Sequence, residues 1–263
     1  MATDGSAGTQ LFDLSGRIAA VIGGTGVLGG AVCHGLGAAG AAIAVMGRSH
    51  ERAEERVDAL HAQGVRAEAI LLDASDRGSV ERALREVEER LGPVDILVNA
   101  PGANSSTPFF EIELEEWHRI LDTNLTSVFL ACQVFGRAMA DRGQGGTIIN
   151  FSSASSEIPL SRVLIYSVSK AGVNILTRYL ARELAPHRIR VNAIVPGFFP
   201  AEQNRKLLDE ARISALLAHT PAARLGVPDE LIGTMIWLAS ERASGYVTGA
   251  LVRVDGGFSA TTI

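Results

Sequence analysis

Apolar and polar positions along the chain alternate between short buried runs and longer amphipathic stretches. "RIAAVIGG" (17–24) predicts a buried strand that runs into glycines, and "LGGAVCHGLGAAG" (28–40) a helix of small residues ending at Gly40. "AAIAVMG" (41–47) predicts the next strand, and "SHERAEERVDALHAQG" (49–64), with apolar residues at helical spacing, a second helix stopping at Gly64. A third pair follows in "RAEAILLD" (66–73) and "DRGSVERALREVEERLG" (76–92), then a fourth strand in "VDILVNA" (94–100). One long helix is expected over 115–142, a strand over 146–153, a helix over 164–185, and strands over 188–197 and 249–257.

Strands alternating with helices at this spacing imply a parallel sheet covered on both faces. Right-handed crossovers then give an α/β doubly wound parallel sheet, the Rossmann fold. A chain of 263 residues with no repeat or linker reads as one domain over 14–263, preceded by a polar, flexible tail over 1–13. The stretch 198–227 breaks the alternation and is expected to form a small lid insertion over one end of the sheet.

Composition narrows the function. A net charge of -5 with no basic stripe argues against nucleic acid as a partner. No apolar run is long enough to span a membrane, and the first residues lack a basic-then-apolar signal pattern, so a cytoplasmic location is expected. Cys33 and Cys132 lie far apart, without metal-ligand spacing, and read as buried core residues. No other cluster suggests a metal.

"GGTGVLGG" (23–30) stands where the first strand turns into the first helix, and Gly24, Gly26 and Gly29 satisfy G-x-G-x-x-G. Glycines there let the backbone approach a pyrophosphate, and the helix start offers free N–H groups. Gly23, Thr25, Gly26, Val27 and Leu28 are therefore candidate cofactor contacts. At the end of the second strand an acid would hold a ribose 2′-hydroxyl, and a base would accept a 2′-phosphate. Gly47 and Arg48 occupy that place, which favours NADP(H) over NAD(H); the competing reading of Arg48 is a solvated helix-start residue. Asp73 either meets the adenine edge or caps a helix.

The chain has two lysines among 24 basic residues and three tyrosines, and one of each meets in "IYSVSKAG" (165–172). Tyr166 and Lys170 are i and i+4 on a helix, a turn apart on one face. A phenol titrates near pH ~10, and a neighbouring ammonium is expected to lower that value. Ser153 ends a strand thirteen residues before Tyr166, and Asn124 lies in the long helix. With "NAPG" (99–102), "RVNAIVPG" (190–197) and "VTGALVRVDGG" (247–257), these motifs resemble the classical short-chain dehydrogenases/reductases over roughly residues 14–258.

The resemblance implies roles. Tyr166 is the general acid in reduction and the base in oxidation; Lys170 tunes it and binds the nicotinamide ribose. Ser153 hydrogen-bonds the reacting oxygen, and Asn124 holds a water that links Lys170 to solvent. Asn99, Ala100, Gly102, Pro196, Gly197 and Phe199 join the cofactor cleft, and hydride passes directly between nicotinamide and substrate carbon. The family's T-G-x-x-x-G-x-G departs here at Ile22 and Val27, its N-N-A-G at Ala100 and Pro101, and a usual Thr is Ala201.

"PGFFPAEQNRKLL" (196–208), "PLSRV" (159–163), "AHTPAARLGVPDEL" (218–231) and "DGGFSA" (255–260) resemble the branch that includes fructuronate/mannonate reductase-like members. That branch implies a small-molecule substrate with a carboxylate and several hydroxyls. Arg162, Gln203, Asn204 and Arg205, with Ser155, are the residues expected to face it. Arg162 and Arg205 read equally as a subunit contact and a solvated helix-start charge. The alternative readings are a reductase of plain ketones or 3-oxoacyl thioesters and, against the presence of Tyr166, Lys170 and Ser153, a non-catalytic nucleotide-binding sensor. Members of this family commonly assemble as homotetramers.

Overall fold

The computed structural model describes residues 10–199 and 210–260. Seven strands form one sheet in the order β3-β2-β1-β4-β5-β6-β7, every neighbouring pair parallel. They are β1 (Ile18–Ile22), β2 (Ala42–Gly47), β3 (Ala67–Leu71), β4 (Ile96–Asn99), β5 (Gly146–Phe151), β6 (Ile189–Pro196) and β7 (Leu251–Val254). The helices between them are α1 (Val27–Ala38), α2 (His50–His61), α3 (Arg77–Arg90), α4 (Leu114–Leu121), α5 (Ser127–Arg142) and α6 (Leu164–Leu184). After β6 come α7 (Glu210–His219), α8 (Ile232–Ala239) and α9 (Glu241–Ser244).

Both faces of the sheet are covered, which is why its strands read as unbroken apolar runs. Ala19, Val21, Ile43 and Val45 pack toward one layer, with Val32, Leu36, Val57, Met235 and Leu238. Ala20, Ile22, Ala44 and Met46 point the other way, to Val80, Val87, Phe135, Met139 and Val173. The doubly wound sheet is therefore as expected. From β1 the chain winds outward through β2 and β3, then returns to β4 on the other side of β1. The two connections leave the carboxyl ends of β1 and β4 in opposite directions and open a crevice there.

The amino end of the sheet is tied by Asp95. Its carboxylate accepts hydrogen bonds from the Ile18 backbone N–H at 3.0 Å and from Arg142 at 3.1 Å. One residue of the expected tail touches the body: Ser240 Oγ donates to the Leu11 carbonyl at 2.5 Å.

One expectation needs correction. The single helix over 115–142 is interrupted by a π-helical turn, Asp122–Thr126, between α4 and α5. Hydroxyls bond back to carbonyls around this turn: Thr123 Oγ1 donates to Arg119 O at 2.9 Å, and Ser127 Oγ to Thr123 O at 2.6 Å. The 198–227 insertion carries α7, and the crossover to β7 runs through α8, which covers the sheet beside α1.

Candidate active site

The crevice between β1 and β4 deepens into a cleft of about 470 Å³. Gly23, Thr25, Gly26, Val27 and Leu28 form its floor at the start of α1. Gly23 has φ +82°, and a Cβ there would lie 2.6 Å from the Ala100 carbonyl oxygen, so only glycine serves. A Cβ on Gly29 would strike the Gly23 carbonyl, so the helix start sits directly on the turn. Gly26 is the N-cap of α1 and provides no side-chain cap, whereas Asp76 caps α3 by accepting from Gly78 N and Ser79 N. The first N–H groups of α1 thus remain available to an anion in the cleft. These features fit the diphosphate of a dinucleotide.

At one end of the cleft stand Gly47, Arg48 and Asp73. Asp73 does not cap α3. Its carboxylate accepts from Ser75 Oγ at 2.6 Å and Ser75 N at 3.0 Å, and these bonds hold its pKa below the ordinary carboxylate value. Arg52 and Arg56 line the same end, and the sequence reading passed over both. Their signal was present, because Arg48, Arg52 and Arg56 recur every fourth residue along one face of α2 and its start. They looked like a solvated helix face.

At the other end Ser153, Tyr166 and Lys170 converge with Ala100, Gly102, Pro196, Gly197 and Phe199. Ser153 caps the start of the 3-10 turn that follows β5, and its Oγ accepts from Ser155 N at 3.2 Å and Ser155 Oγ at 3.1 Å. Its own proton is left to donate. Tyr166 and Lys170 rise from the first turns of α6, as their spacing predicts. Lys170 is 2% exposed, and its ammonium donates to Phe151 O at 2.9 Å and Pro101 O at 3.0 Å. Burial pulls its pKa down to about 7. Nζ lies 5.7 Å from the Tyr166 ring centroid.

The expected lowering of the phenol's pKa is not found. Burial pushes Tyr166 above the ordinary phenol value, and the Ser153 hydroxyl offsets this only in part. The Lys170 ammonium is turned to two carbonyls, which takes up the charge that the sequence reading assigned to the phenolate.

Asn124 and Asn99 are both fully buried and lie behind the cleft wall. Asn124 Oδ1 accepts from Ala103 N at 2.7 Å, and its Nδ2 donates to Ala103 O at 2.9 Å and Ser169 Oγ at 3.0 Å. Its side-chain amide thus pins the loop after β4 to α6. Asn99 Nδ2 donates to Asn150 Oδ1 at 2.9 Å, and Asn150 Nδ2 to Thr177 Oγ1 at 2.9 Å. Asn99 thus sits in an internal polar chain between the sheet and α6, behind the residues that line the cleft. Ser155 is likewise buried, held by Ser153. Arg162 is exposed on the loop before α6, with φ 66°. Gln203, Asn204 and Arg205 lie outside the described residues. Cys33 and Cys132 are buried and free, and burial pushes both thiols up to about 12. Among the described residues no cluster of side chains could hold a metal, and no helix is long and apolar enough to cross a membrane.

Comparison with known proteins agrees with this geometry. A family model described as Enoyl-(Acyl carrier protein) reductase matches residues 25–259. The 5-keto-D-gluconate 5-reductase of Escherichia coli (strain K12) is 39% identical over 249 residues, covering 94% of this chain and 97% of that protein. The uncharacterized oxidoreductase UxuB of Bacillus subtilis (strain 168) is 37% identical over 269 residues, covering 94% and 96%. A solved gluconate 5-dehydrogenase from Burkholderia cenocepacia J2315, in complex with NADP and tartrate, superposes with a TM-score of 0.93 at 35% identity, covering 97% and 100%. Matches of this length and identity place the chain in one family: it is a classical short-chain dehydrogenase/reductase, an oxidoreductase dependent on a nicotinamide dinucleotide.

Proposed function

We propose that the protein interconverts a secondary alcohol and a ketone on a sugar acid, using NADP(H) in preference to NAD(H). The observation that carries this reading is the convergence of Tyr166, Ser153 and Lys170 at one end of a cleft whose other end is lined by Arg48, Arg52 and Arg56. An acid that would select a ribose 2′-hydroxyl is missing from the end of β2, where Gly47 stands. The E. coli relative is named for a keto-gluconate, and the Burkholderia structure holds NADP with tartrate, a hydroxylated dicarboxylate. Both support a polyhydroxylated acid. Fructuronate and mannonate are the finer candidates, and Arg162, with Arg205, is the proposed grip on the carboxylate.

The bound nicotinamide supplies hydride in reduction and accepts it in oxidation. Tyr166 gives its phenolic proton to the carbonyl oxygen, or takes it from the hydroxyl in reverse. Ser153, its Oγ already accepting from Ser155, donates to the same oxygen and holds it beside the phenol. Lys170, held between the Pro101 and Phe151 carbonyls and with its pKa drawn down to about 7 by burial, is the group that returns a proton to the phenolate. Asn124 keeps Ala103, and with it the loop over Lys170, in place. The faces of α5 and α6 that expose Phe129, Ile175 and Tyr179 are the proposed subunit contacts of a homotetramer. The two buried free thiols suit the proposed cytoplasmic setting.

The test is a panel of sugar acids, neutral polyols, plain ketones and a 3-oxoacyl thioester with each cofactor, read by the absorbance of reduced nicotinamide. Sugar acids with NADP(H) are expected to give the highest kcat/KM. Turnover confined to the thioester or to plain ketones would reject the substrate class.

A further inference from the structure

The three arginines at the adenosine end are not equivalent. Arg48 and Arg52 are exposed, whereas Arg56 is half-buried. The Arg56 guanidinium lies flat against Gly30 of α1, and a methyl group at residue 30 would strike its Nη2, Cζ and Nε atoms. Nη1 donates to His34 Nε2 at 3.3 Å. An arginine can only donate, so His34 must carry its own hydrogen on Nδ1, where Gln63 Oε1 accepts it at 3.3 Å. The chain Gln63–His34–Arg56 therefore fixes the guanidinium from one side, and Gly30 admits it from below.

Arg56 has capacity left over. Its Nε is buried without a hydrogen-bond partner. Among the described residues no carboxylate pairs with it, although the exposed Glu55 lines the adjoining recess with Thr25, Arg52 and Arg56. Arg56 lines the cleft, so its fixed charge stands where an anion can meet it. Arg48 and Arg52 must first be ordered before they can grip a ligand, but Arg56 is already in place, and preorganisation is what turns a contact into selectivity.

We infer that Arg56 is the specificity-determining cation for the 2′-phosphate of NADP(H), with Gly30 and His34 as its positioning residues. This rests on the proposed NADP(H) reading and deepens it. Arg48 and Arg52 then form the outer, adaptable part of the same clamp.

The experiment is calorimetric titration of the intact protein with NADPH, NADH and adenosine 2′,5′-bisphosphate, which needs no turnover. Arg56→Gln is expected to weaken NADPH and the bisphosphate by about ten- to a hundredfold, as for loss of a charge-assisted bond, and NADH by less than about twofold. Gly30→Ala keeps the charge and displaces the guanidinium; it should weaken the same two ligands. Arg56→Lys, which retains charge and bulk without the fork, guards against a folding defect and should fall between wild type and Arg56→Gln. Equal losses of NADPH and NADH, or none of either, would overturn the inference. If Arg48→Ala abolishes the NADPH preference and Arg56→Gln leaves it intact, Arg56 is excluded while the NADP(H) reading stands. If the wild type binds NADH as tightly as NADPH and ignores the bisphosphate, that reading itself fails.

Discussion

The ammonium of Lys170 donates to the carbonyl of Pro101 at 3.0 Å, joining the helix that carries Tyr166 to the loop that follows β4. Because this lysine is buried, its protonation is linked to folding. Its pKa falls from 10.5 to about 7 in the folded protein, so between those values the unfolded chain binds the proton and the native state does not. The contribution of this group to stability is therefore complete above pH 10.5 and is lost as pH falls to about 7. Thermal melts of the wild type and Lys170→Met from pH 6.5 to 10 should show the wild type gaining on the variant as pH rises. A difference in Tm that stays flat across that range would contradict the linkage.

Tyr166→Phe removes the proposed proton donor and leaves the ring in place. Turnover is expected to fall by at least about 10³-fold, in the range for loss of a positioned acid, while NADPH binding changes little. Retained turnover would remove Tyr166 from the role.

Asn124→Ala leaves the Ala103 N–H and C=O without partners. Ala103 is partly buried, so each orphan costs at most about 1–3 kcal/mol, and denaturant melts should show a loss of about 1–3 kcal/mol together with a lower kcat. A neutral effect on stability would mean that the loop is held elsewhere.

Gly23→Ala places a methyl against the Ala100 carbonyl in a backbone conformation with φ +82°. The strain of a left-handed alanine is about 1–2 kcal/mol, and the steric clash adds to it. Dinucleotide affinity should drop along with stability, measured by titration and by melts.

Arg162 offers a test with opposite signs. Its φ of 66° is one that glycine adopts freely, so Arg162→Gly should stabilise the fold, by up to about 1 kcal/mol. If the side chain grips a substrate carboxylate, KM for a sugar acid should rise by about tenfold in the same variant. Improved stability with an unchanged KM would leave Arg162 as a strained loop residue only.

Most of the fold was legible because a sheet buried on both faces writes itself as apolar runs between amphipathic helices. Helix α8 was not. "IGTMIWLA" is apolar on nearly every side and short, so it shows no polar face to set a period. The π turn was equally hidden, since a widened turn leaves the residue pattern on either side almost unchanged. In the site, the spacing of Tyr166 and Lys170 put them on one helix face, and Ser153 joined them through the resemblance to the short-chain dehydrogenases/reductases. What spacing did not convey was direction: Asn124 and Asn99 face inward to partners on distant segments, and Arg56 faces inward through a gap left by Gly30.

The tie at Asp95 has a consequence for how the molecule can vary. Strand ends meet there through backbone and arginine contacts, while every segment that touches the cleft leaves from the opposite rim. Loops on that rim can lengthen or change their side chains without disturbing strand alignment. A new substrate would then require rewriting one margin of the molecule, and the other margin could remain as it is.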